Sequence, residues 1–505
     1  MLVHKFGGTS VGSAERFSNA ANILLNNQFV QEAQNLASPN TPGNQLVIVS
    51  AMSGVTDELI AGARAAAEGR DQAFHEIKAD VLRRHLEVVE TLLSQRAERV
   101  EIAGLIEDRL HELERLYRSI AVLGEVTMRG YDAVTSFGEN LSASILAAVL
   151  RENGQRAQAV SATELIVTDD QYGSATPLVS ATRAKLHQRL EPLLESGIIP
   201  VITGYIGATE NGVTTTLGRG GSDYSAAILA AGLDASEVWI WSDVNGILTA
   251  DPNLVPQAHT LSELSYDEAA NLAYYGADVL HPKTIRPVVA SEIPLRLRNS
   301  FNPEHPGTLI VKNPSPGRTL LPAIISTTGL TMIAVGSQDD SWTPDAAARA
   351  LRKLCAAGLD VPMFSQSFSE HSLNLVVRQQ DLDHCLKLLC EEFGNSISPT
   401  CFGEEDQEIH QTRPEDNGYN LGTREKVATV SVVGVPDWNE TGIVAHAFAA
   451  LGNHGARVIA VAQAASEYNV SFCIPEDQVN EIVPALHHDL GLDEVEFEGH
   501  SHGSD

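Results

Sequence analysis

Over its first 310 residues the chain alternates short β-rich runs, each closed by small residues, with helical stretches. "LVHKFG", "QLVIVSA", "IIPVITGYIG", "EVWIWSDVNG" and "IPLRLRNS" read as strands, and 222–232 and 265–277 read as helices between them. Runs of apolar residues mark strands covered on both faces, and strands separated by helices pair in parallel. The rhythm therefore predicts an α/β domain, a mostly parallel sheet sandwiched by helices, over residues 1–312. From His75 to Leu123 only Gly104 interrupts a pattern rich in Leu, Glu and Arg, so two or more helices are expected outside the main sheet.

Beyond residue 320 the order becomes β-α-β-β-α, and it occurs twice. "FSQSFSEHSLNLVV" matches "VAQAASEYNVSFCI": a strand ends at glutamine, a serine-glutamate turn follows, and a second strand begins. Each copy lacks one apparent final strand, which points to paired ferredoxin-like α+β units at 320–398 and 427–495. The polar, acidic stretch 399–426 reads as a linker or loop, and 496–505 as a disordered tail.

Charge narrows the partners. The 505 residues hold 65 acidic against 34 basic side chains, a formal net charge of −31. Such a surface repels nucleic acid and anionic membranes, so neither is expected as a partner. An anionic ligand would need cations and backbone NH groups concentrated at its site. The start, "MLVHKFGGTS", shows no apolar run before a cleavage signal, and no stretch reads as a membrane span, so a cytoplasmic protein is expected. Five cysteines, at 355, 385, 390, 401 and 473, show neither a disulfide framework nor CxxC spacing, and no structural metal is expected.

Four segments carry candidate chemistry. In "HKFGGTSVG", Lys5 ends a strand before Gly7, Gly8, Thr9 and Ser10, which is either an anion nest beside a mobile cation or an ordinary glycine turn. No GxxxxGK[ST] occurs, which disfavours a P-loop. In "TTTLGRGGSDYSAA", Arg219 offers a planar fork for a carboxylate, Ser222 is placed to cap a helix, and Asp223 either orients a cation or simply complements the helix terminus. "SFGENLSA" puts Glu139 at the start of another helix, as a site residue or a dipole partner, and "SAMSGVT" follows a strand with Ser50 and Thr56. All four follow candidate parallel strands, so they converge on the carboxyl edge of the sheet, where α/β proteins bind ligands.

"KFGGTSVG", "FGENLSA", "TTTLGRGGSDYSAA", "WSDVNGILTADP", "GADVLHPKTI" and "PGTLI", in this order, resemble the aspartate kinase family within the amino-acid kinase fold. The two C-terminal units resemble that family's paired ACT domains, one threaded through the other. The resemblance implies transfer of the γ-phosphoryl of ATP to the side-chain carboxylate of L-aspartate, giving 4-phospho-L-aspartate and ADP, with Mg²⁺ held mainly by the nucleotide phosphates. It assigns Lys5 to the migrating phosphoryl group, Arg219 to an aspartate carboxylate, Glu139 to the substrate ammonium and Asp223 to the organisation of Lys5. Thr56, Tyr205, Thr216 and Ser222 match further lining positions, and Ser242, Asp243, Gly246, Leu248, Asp251 and Lys283 fall at the nucleotide end.

The chain departs from the family where Leu248 replaces tyrosine, Asn253 replaces arginine and Asp278 replaces lysine, with Lys283 or Arg286 placed to compensate. Gln366, Asn453 and Gln463 match positions at an effector interface, for lysine or threonine, although either glutamine also reads as a partner for turn backbone. A homodimer or higher oligomer through the ACT units is implied. Two other readings stay open: a kinase of another amino-acid carboxylate, and an amino-acid-sensing subunit that has lost catalysis.

Overall fold

A computed structural model describes residues 1–26, 45–274, 280, 282–315, 321–337, 343–367, 372–394, 400–401, 419–434, 442–463 and 469–493. It divides into two units, one of 1–247, 260–274 and 278–318, the other of 248–259 and 319–505 together with three residues near 276. Residues 248–259 fall inside the single catalytic domain expected over 1–312 but pack with the second unit. Residues 248–259 cluster with the second unit because Ile324 N donates to Thr249 O at 2.7 Å and Thr249 Oγ1 meets His487 Nε2 at 2.9 Å.

In the first unit the chain runs β1 (Leu2–Phe6), α1 (Ala14–Leu25), β2 (Gln45–Val49), α2 (Val55–Ala67), α3 (Asp71–Leu92), α4 (Arg96–Leu123) and α5 (Met128–Glu152). It continues through β3 (Ala157–Val160), β4 (Val167–Thr168), α6 (Val179–Glu195), β5 (Ile199–Thr203), β6 (Ile206–Thr209), β7 (Thr214–Thr216), α7 (Gly221–Gly232) and β8 (Glu237–Ser242). It closes with β9 (Glu263–Ser265), α8 (Tyr266–Tyr274), α9 (Pro282–Ser291), β10 (Leu295–Asn299) and β11 (Thr308–Val311). The main sheet has the order β3-β5-β2-β1-β8-β10-β11-β9, parallel except between β10 and β11, and β4-β6-β7 form a small second sheet. All five residues of β1 are buried, as a central strand covered on both faces requires.

The helical excursion is α3 and α4. Ile102, Ile106, Leu110, Leu113, Tyr117 and Ile120 form one buried stripe at helical spacing on α4. Tyr117 donates to the Leu59 carbonyl of α2 at 2.9 Å, and a methyl at Gly62 would lie 2.5 Å from the Tyr117 hydroxyl, so only glycine fits there. Among the described residues α5 is the one helix long and apolar enough to cross a bilayer by composition, which the sequence reading did not register. Its apolar residues are instead packed into the core of the first unit.

Two histidines are sealed into this core. His4, on β1, accepts from Trp241 Nε1 at 3.1 Å, and burial, then the Arg298 charge, push it down to about 3. His85, on α3, contacts the Val81 carbonyl at 2.6 Å, and burial pushes it down to about 4. Between those values and the unfolded value near 6.5 the unfolded chain binds more protons than the folded one, so stability is present above pH 6.5 and is lost as pH falls. His85→Leu should flatten this acid limb by up to about 3 kcal/mol between pH 6.5 and 4, read from urea midpoints of both proteins across that range. Parallel midpoint curves for the two proteins would contradict the assignment.

The second unit comprises β12 (Ala323–Ser337), α10 (Pro344–Ala356), β13 (Met363–Ser367), β14 (Ser372–Arg378), α11 (Leu382–Phe393) and β15 (Thr400–Cys401). β16 (Tyr419–Val433), α12 (Ile443–Asn453), β17 (Ala460–Gln463), β18 (Asn469–Pro475) and α13 (Val479–Asp489) follow. The two copies share one seven-stranded sheet, β13-β14-β12-β16-β18-β17, with β15 added on β16. β12 and β16 are 15 residues each and antiparallel. The part of β12 from Leu330 on pairs with β14, and the part of β16 from Val427 on pairs with β18. Between Thr327 and Met332 the β12–β16 register shifts. The apparently missing final strand of each copy is therefore supplied by the long strand of the other. This corrects the expected linker at 399–426, since Tyr419–Lys426 lies within β16. Its polar sequence concealed a strand that Met332–Ser337 requires as an edge partner.

Candidate active site

The parallel strands β5, β2, β1, β8 and β10 end side by side, and their following residues are stitched to one another. Gly204 N donates to Val49 O (2.8 Å), Ser50 N to Phe6 O (3.1 Å), Gly7 N to Trp241 O (3.2 Å) and Ser300 N to Ser242 O (2.8 Å). Of the four expected segments, those at Lys5 and Ser50 follow strands of this edge, whereas the Arg219 segment follows β7 of the small sheet and Glu139 lies within α5; the Lys5–Asp223 pair and the Gly138–Ala51 contact bring these two toward it.

Lys5 is 8% exposed, and its Nζ lies 2.5 Å from Asp223 Oδ1 in the first turn of α7. An ion pair this enclosed holds the ammonium at one point beside the Gly7 turn, where a methyl on Gly7 would lie 3.6 Å from Nζ. The helix begins at Gly220, in the left-handed region at φ 67°, with no side-chain cap. That conformation favours glycine, so the expected cap at Ser222 does not form. Ser222 instead packs on the end of β5, where a methyl at Gly204 would lie 2.7 Å from its Cβ. Arg219, one residue before the cap, is exposed and forms no ion pair among the described residues.

Glu139 lies in the middle of α5, not at a helix start, so it complements no dipole. The preceding Gly138 is there for close approach: a methyl on it would lie 2.6 Å from Ala51 Cβ, so α5 presses on the loop after β2. Glu139 is 3% exposed and faces the Ala51 amide; burial drives its carboxyl up to about 8. Its Oε2 has no hydrogen-bond partner among the described residues. A buried carboxylate oxygen without a donor is costly, and a ligand cation would relieve it. Tyr205 is held at φ 67°, strained for a non-glycine residue, and feels the charges of Glu139 and Asp132.

Other expected site residues have different partners. Thr216 is fully buried, with its hydroxyl donating to Asp132 at 2.7 Å, so it shapes the site from behind. Ser10 is also buried, its hydroxyl 3.3 Å from the Trp241 carbonyl and 2.8 Å from Ser300 Oγ; it ties β1 to β8 and leaves Thr9 as the exposed hydroxyl of that turn. The Gly7 amide is committed to Trp241, leaving Gly8 and Thr9 to open the turn. Thr56 is half-buried in the first turn of α2. Sequence reasoning missed Arg84 of α3, which donates to Ser53 O at 2.7 Å and pairs with Glu58 at 2.8 Å, bracing the loop before Thr56.

Among the residues expected at the nucleotide end, Ser242 donates to the exposed Asp243 (3.1 Å). Gly246 is buried, and a methyl on it would lie 2.4 Å from Thr308 Oγ1, which accepts from Ile247 N at 2.9 Å. "PGTLI" therefore locks the loop after β8, and Gly246 serves packing. Leu248 and Asp251 belong to the second unit, where Asp251 accepts from Asn253 N at 2.9 Å. Lys283 donates to Ser174 Oγ at 3.1 Å, and Asp278 lies outside the described residues. In the second unit the edge strands β13 and β17 approach within 8 Å between Cα atoms. Gln366 of β13 is half-buried with Nε2 lacking a hydrogen bond among the described residues, while Gln463 and Asn453 are exposed.

Residues 1–299 match the amino acid kinase family, and 334–393 and 430–490 each match the ACT domain. The chain is 31% identical over 497 residues to aspartokinase 1, chloroplastic, of Arabidopsis thaliana, covering 96% of this chain and 79% of that protein. Its fold is similar to that of E. coli aspartokinase III in complex with aspartate and ADP (R-state): TM-score 0.77 and 28% identity, covering 97% of this chain and all of that one. The same E. coli enzyme in complex with lysine and aspartate (T-state) gives a TM-score of 0.74 at 28% identity, covering 97% and 99%. A parallel-sheet edge that gathers an enclosed lysine–aspartate pair, a glycine loop with a free arginine and a buried unsatisfied glutamate, followed by interlocked ACT copies, agrees with these likenesses: the chain belongs to the aspartate kinases of the amino acid kinase family.

Proposed function

We propose that this chain transfers the γ-phosphoryl group of ATP to the side-chain carboxylate of L-aspartate, forming 4-phospho-L-aspartate and ADP at the carboxyl edge of the first unit's sheet. The observation that carries the proposal is the Lys5–Asp223 pair at 2.5 Å, on the same edge as the unsatisfied Glu139 Oε2. A carboxylate is already a nucleophile at neutral pH, so no strong base is needed. The barrier lies in bringing two anions together in line. Lys5 stabilises charge on the migrating phosphoryl group, and Asp223 fixes where that ammonium sits. Glu139 accepts the substrate ammonium, and the exposed Arg219 takes a carboxylate. Gly8 and Thr9 at the first turn, and the amides opening α7, face the phosphates.

Mg²⁺ would arrive with the nucleotide and be retained by its phosphates. The ion would neutralise phosphate charge in an otherwise strongly acidic protein. The product is the class of acyl phosphate that opens a route to lysine, threonine and methionine. For the second unit we propose an amino-acid effector between the β13 and β17 edges, near Gln366, Gln463 and Asn453, and a homo-oligomer formed through this unit. The lysine complex of the E. coli relative supports lysine over threonine.

Trapping acyl phosphate as hydroxamate tests the reading, with aspartate and other acidic amino acids offered in parallel under Mg·ATP. Aspartate should give the most product, and added lysine should lower it. Absence of product from every amino acid, with folded protein, would refute phosphoryl transfer and favour an amino-acid sensor.

A further inference from the structure

Asp132 lies in the first turns of α5 and is 2% exposed. Among the described residues, its carboxylate accepts from donors on the 172–175 turn and at the end of β7. Gly173 N lies 3.0 Å from both oxygens, Thr216 N 3.1 Å from Oδ2, and Thr216 Oγ1 2.7 Å from Oδ1. The same two segments meet again where Ala175 N donates to Thr216 O at 2.8 Å. They meet a third time at Gly218, where a methyl would lie 3.2 Å from the Gly173 carbonyl. Gly218 immediately precedes Arg219. Seven residues along the same helix, two turns on and on the same face, stands Glu139.

We infer that Asp132 is a specificity-determining positioning residue: by tying the 172–175 turn and Thr216 to α5, it sets the span between the Glu139 carboxylate and the Arg219 guanidinium. The inference rests on the aspartate-phosphorylating reading above. The helix acts as a ruler. One of its carboxylates is saturated internally and fixes the loop, and the other is left open for the ligand's ammonium. With Arg219 on the side-chain carboxylate, the ammonium-to-carboxylate spacing it sets is shorter in aspartate than in the homologue with one more methylene, which would therefore be the poorer ligand. A carboxylate accepts from all three donors at once. An amide keeps its oxygen toward Gly173 N and Thr216 N only by turning its NH₂ toward Thr216 Oγ1, which reverses that hydroxyl's bond and removes the charge that holds the three donors together.

The test compares the full-length protein with Asp132→Asn and Thr216→Val, measuring kcat and KM for aspartate, for glutamate and for ATP by hydroxamate trapping, with thermal melts alongside. Asp132→Asn should raise the aspartate KM about 10- to 100-fold, with kcat and the ATP KM within about threefold, and should narrow the preference for aspartate over glutamate. Thr216→Val removes one donor and should shift the aspartate KM in the same direction by less. If Asp132→Asn does not fold, Thr216→Val decides: a raised aspartate KM supports the inference and an unchanged one overturns it. Folded variants with lower melting temperatures but an unaltered aspartate KM would show a merely structural role and overturn it. A parent protein that phosphorylates no amino acid would sink the functional reading itself, and the inference with it.

Discussion

Lys5→Met should lower kcat by about 10³-fold, with the KM for aspartate little changed. Methionine keeps the unbranched stem but removes the charge that the migrating phosphoryl group meets. It also leaves Asp223 enclosed without its cation, since the two side chains are only 10% and 15% exposed in the pair. A buried charge stripped of its partner is strongly destabilising, so the single variant should melt lower than the parent. Adding Asp223→Asn should recover the melting temperature without recovering any rate. Asp223→Asn alone keeps the ammonium but lets it wander, and should cost about 10- to 100-fold in kcat. Because the two residues act as one unit, the double variant should be no slower than Lys5→Met, and their effects will not multiply. A Lys5→Met enzyme with kcat within about threefold of the parent would remove Lys5 from the chemistry.

Glu139→Gln should raise the KM for aspartate about 100-fold while making the protein more stable at neutral pH. With the site empty, burial holds the carboxyl at about 8, so near pH 7 it is mostly protonated. An arriving ammonium needs the carboxylate, so binding of aspartate expels that proton. Apparent affinity should therefore climb as pH rises from 6 toward 8 and level off above, and the glutamine variant should lose this slope. The stability sign is opposite. Folding raises this group above its unfolded value of 4.5, so the folded state holds more protons between 4.5 and about 8. Its favourable contribution is thus complete below pH 4.5 and disappears as pH approaches 8, a difference of about 3 kcal/mol by pH 7. A neutral amide escapes that penalty. Higher melting temperature together with weaker aspartate binding is a combination that partial unfolding cannot produce. A flat aspartate KM across pH 6–8 in the parent would show that Glu139 does not meet the ammonium.

What could be read in advance follows from how local each signal is. The strand–helix rhythm, the glycine turns and the placing of Lys5 and Asp223 on one edge depend on segments that carry their own pattern. The parallel sheet and the long α3–α4 excursion were legible for that reason. Residues whose role is set by a distant partner were not. Thr216 looked like a pocket-lining hydroxyl, yet it turns to Asp132, 84 positions earlier in the chain. Ser10 read as part of an anion nest, and its hydroxyl instead meets Ser300. Glycine before Glu139 suggested a helix start, whereas Gly138 lets a continuous helix press against Ala51. Ser222 has the side chain of a cap, but the left-handed Gly220 takes that position. Asp132 drew no attention because nothing nearby in the chain marks a carboxylate whose donors come from a distant turn and the end of β7.

Each ACT copy completes its sheet with residues from the other, and this has a consequence for how the pair can change over time. A deletion or recombination point falling between them would strip both of a strand. The side chains and the outer strands, β13 and β17, are what can vary without unpairing the shared ribbon. On the proposed effector reading, two recognition positions can specialise there independently, while the β12–β16 ribbon that both copies share couples them through the same piece of backbone.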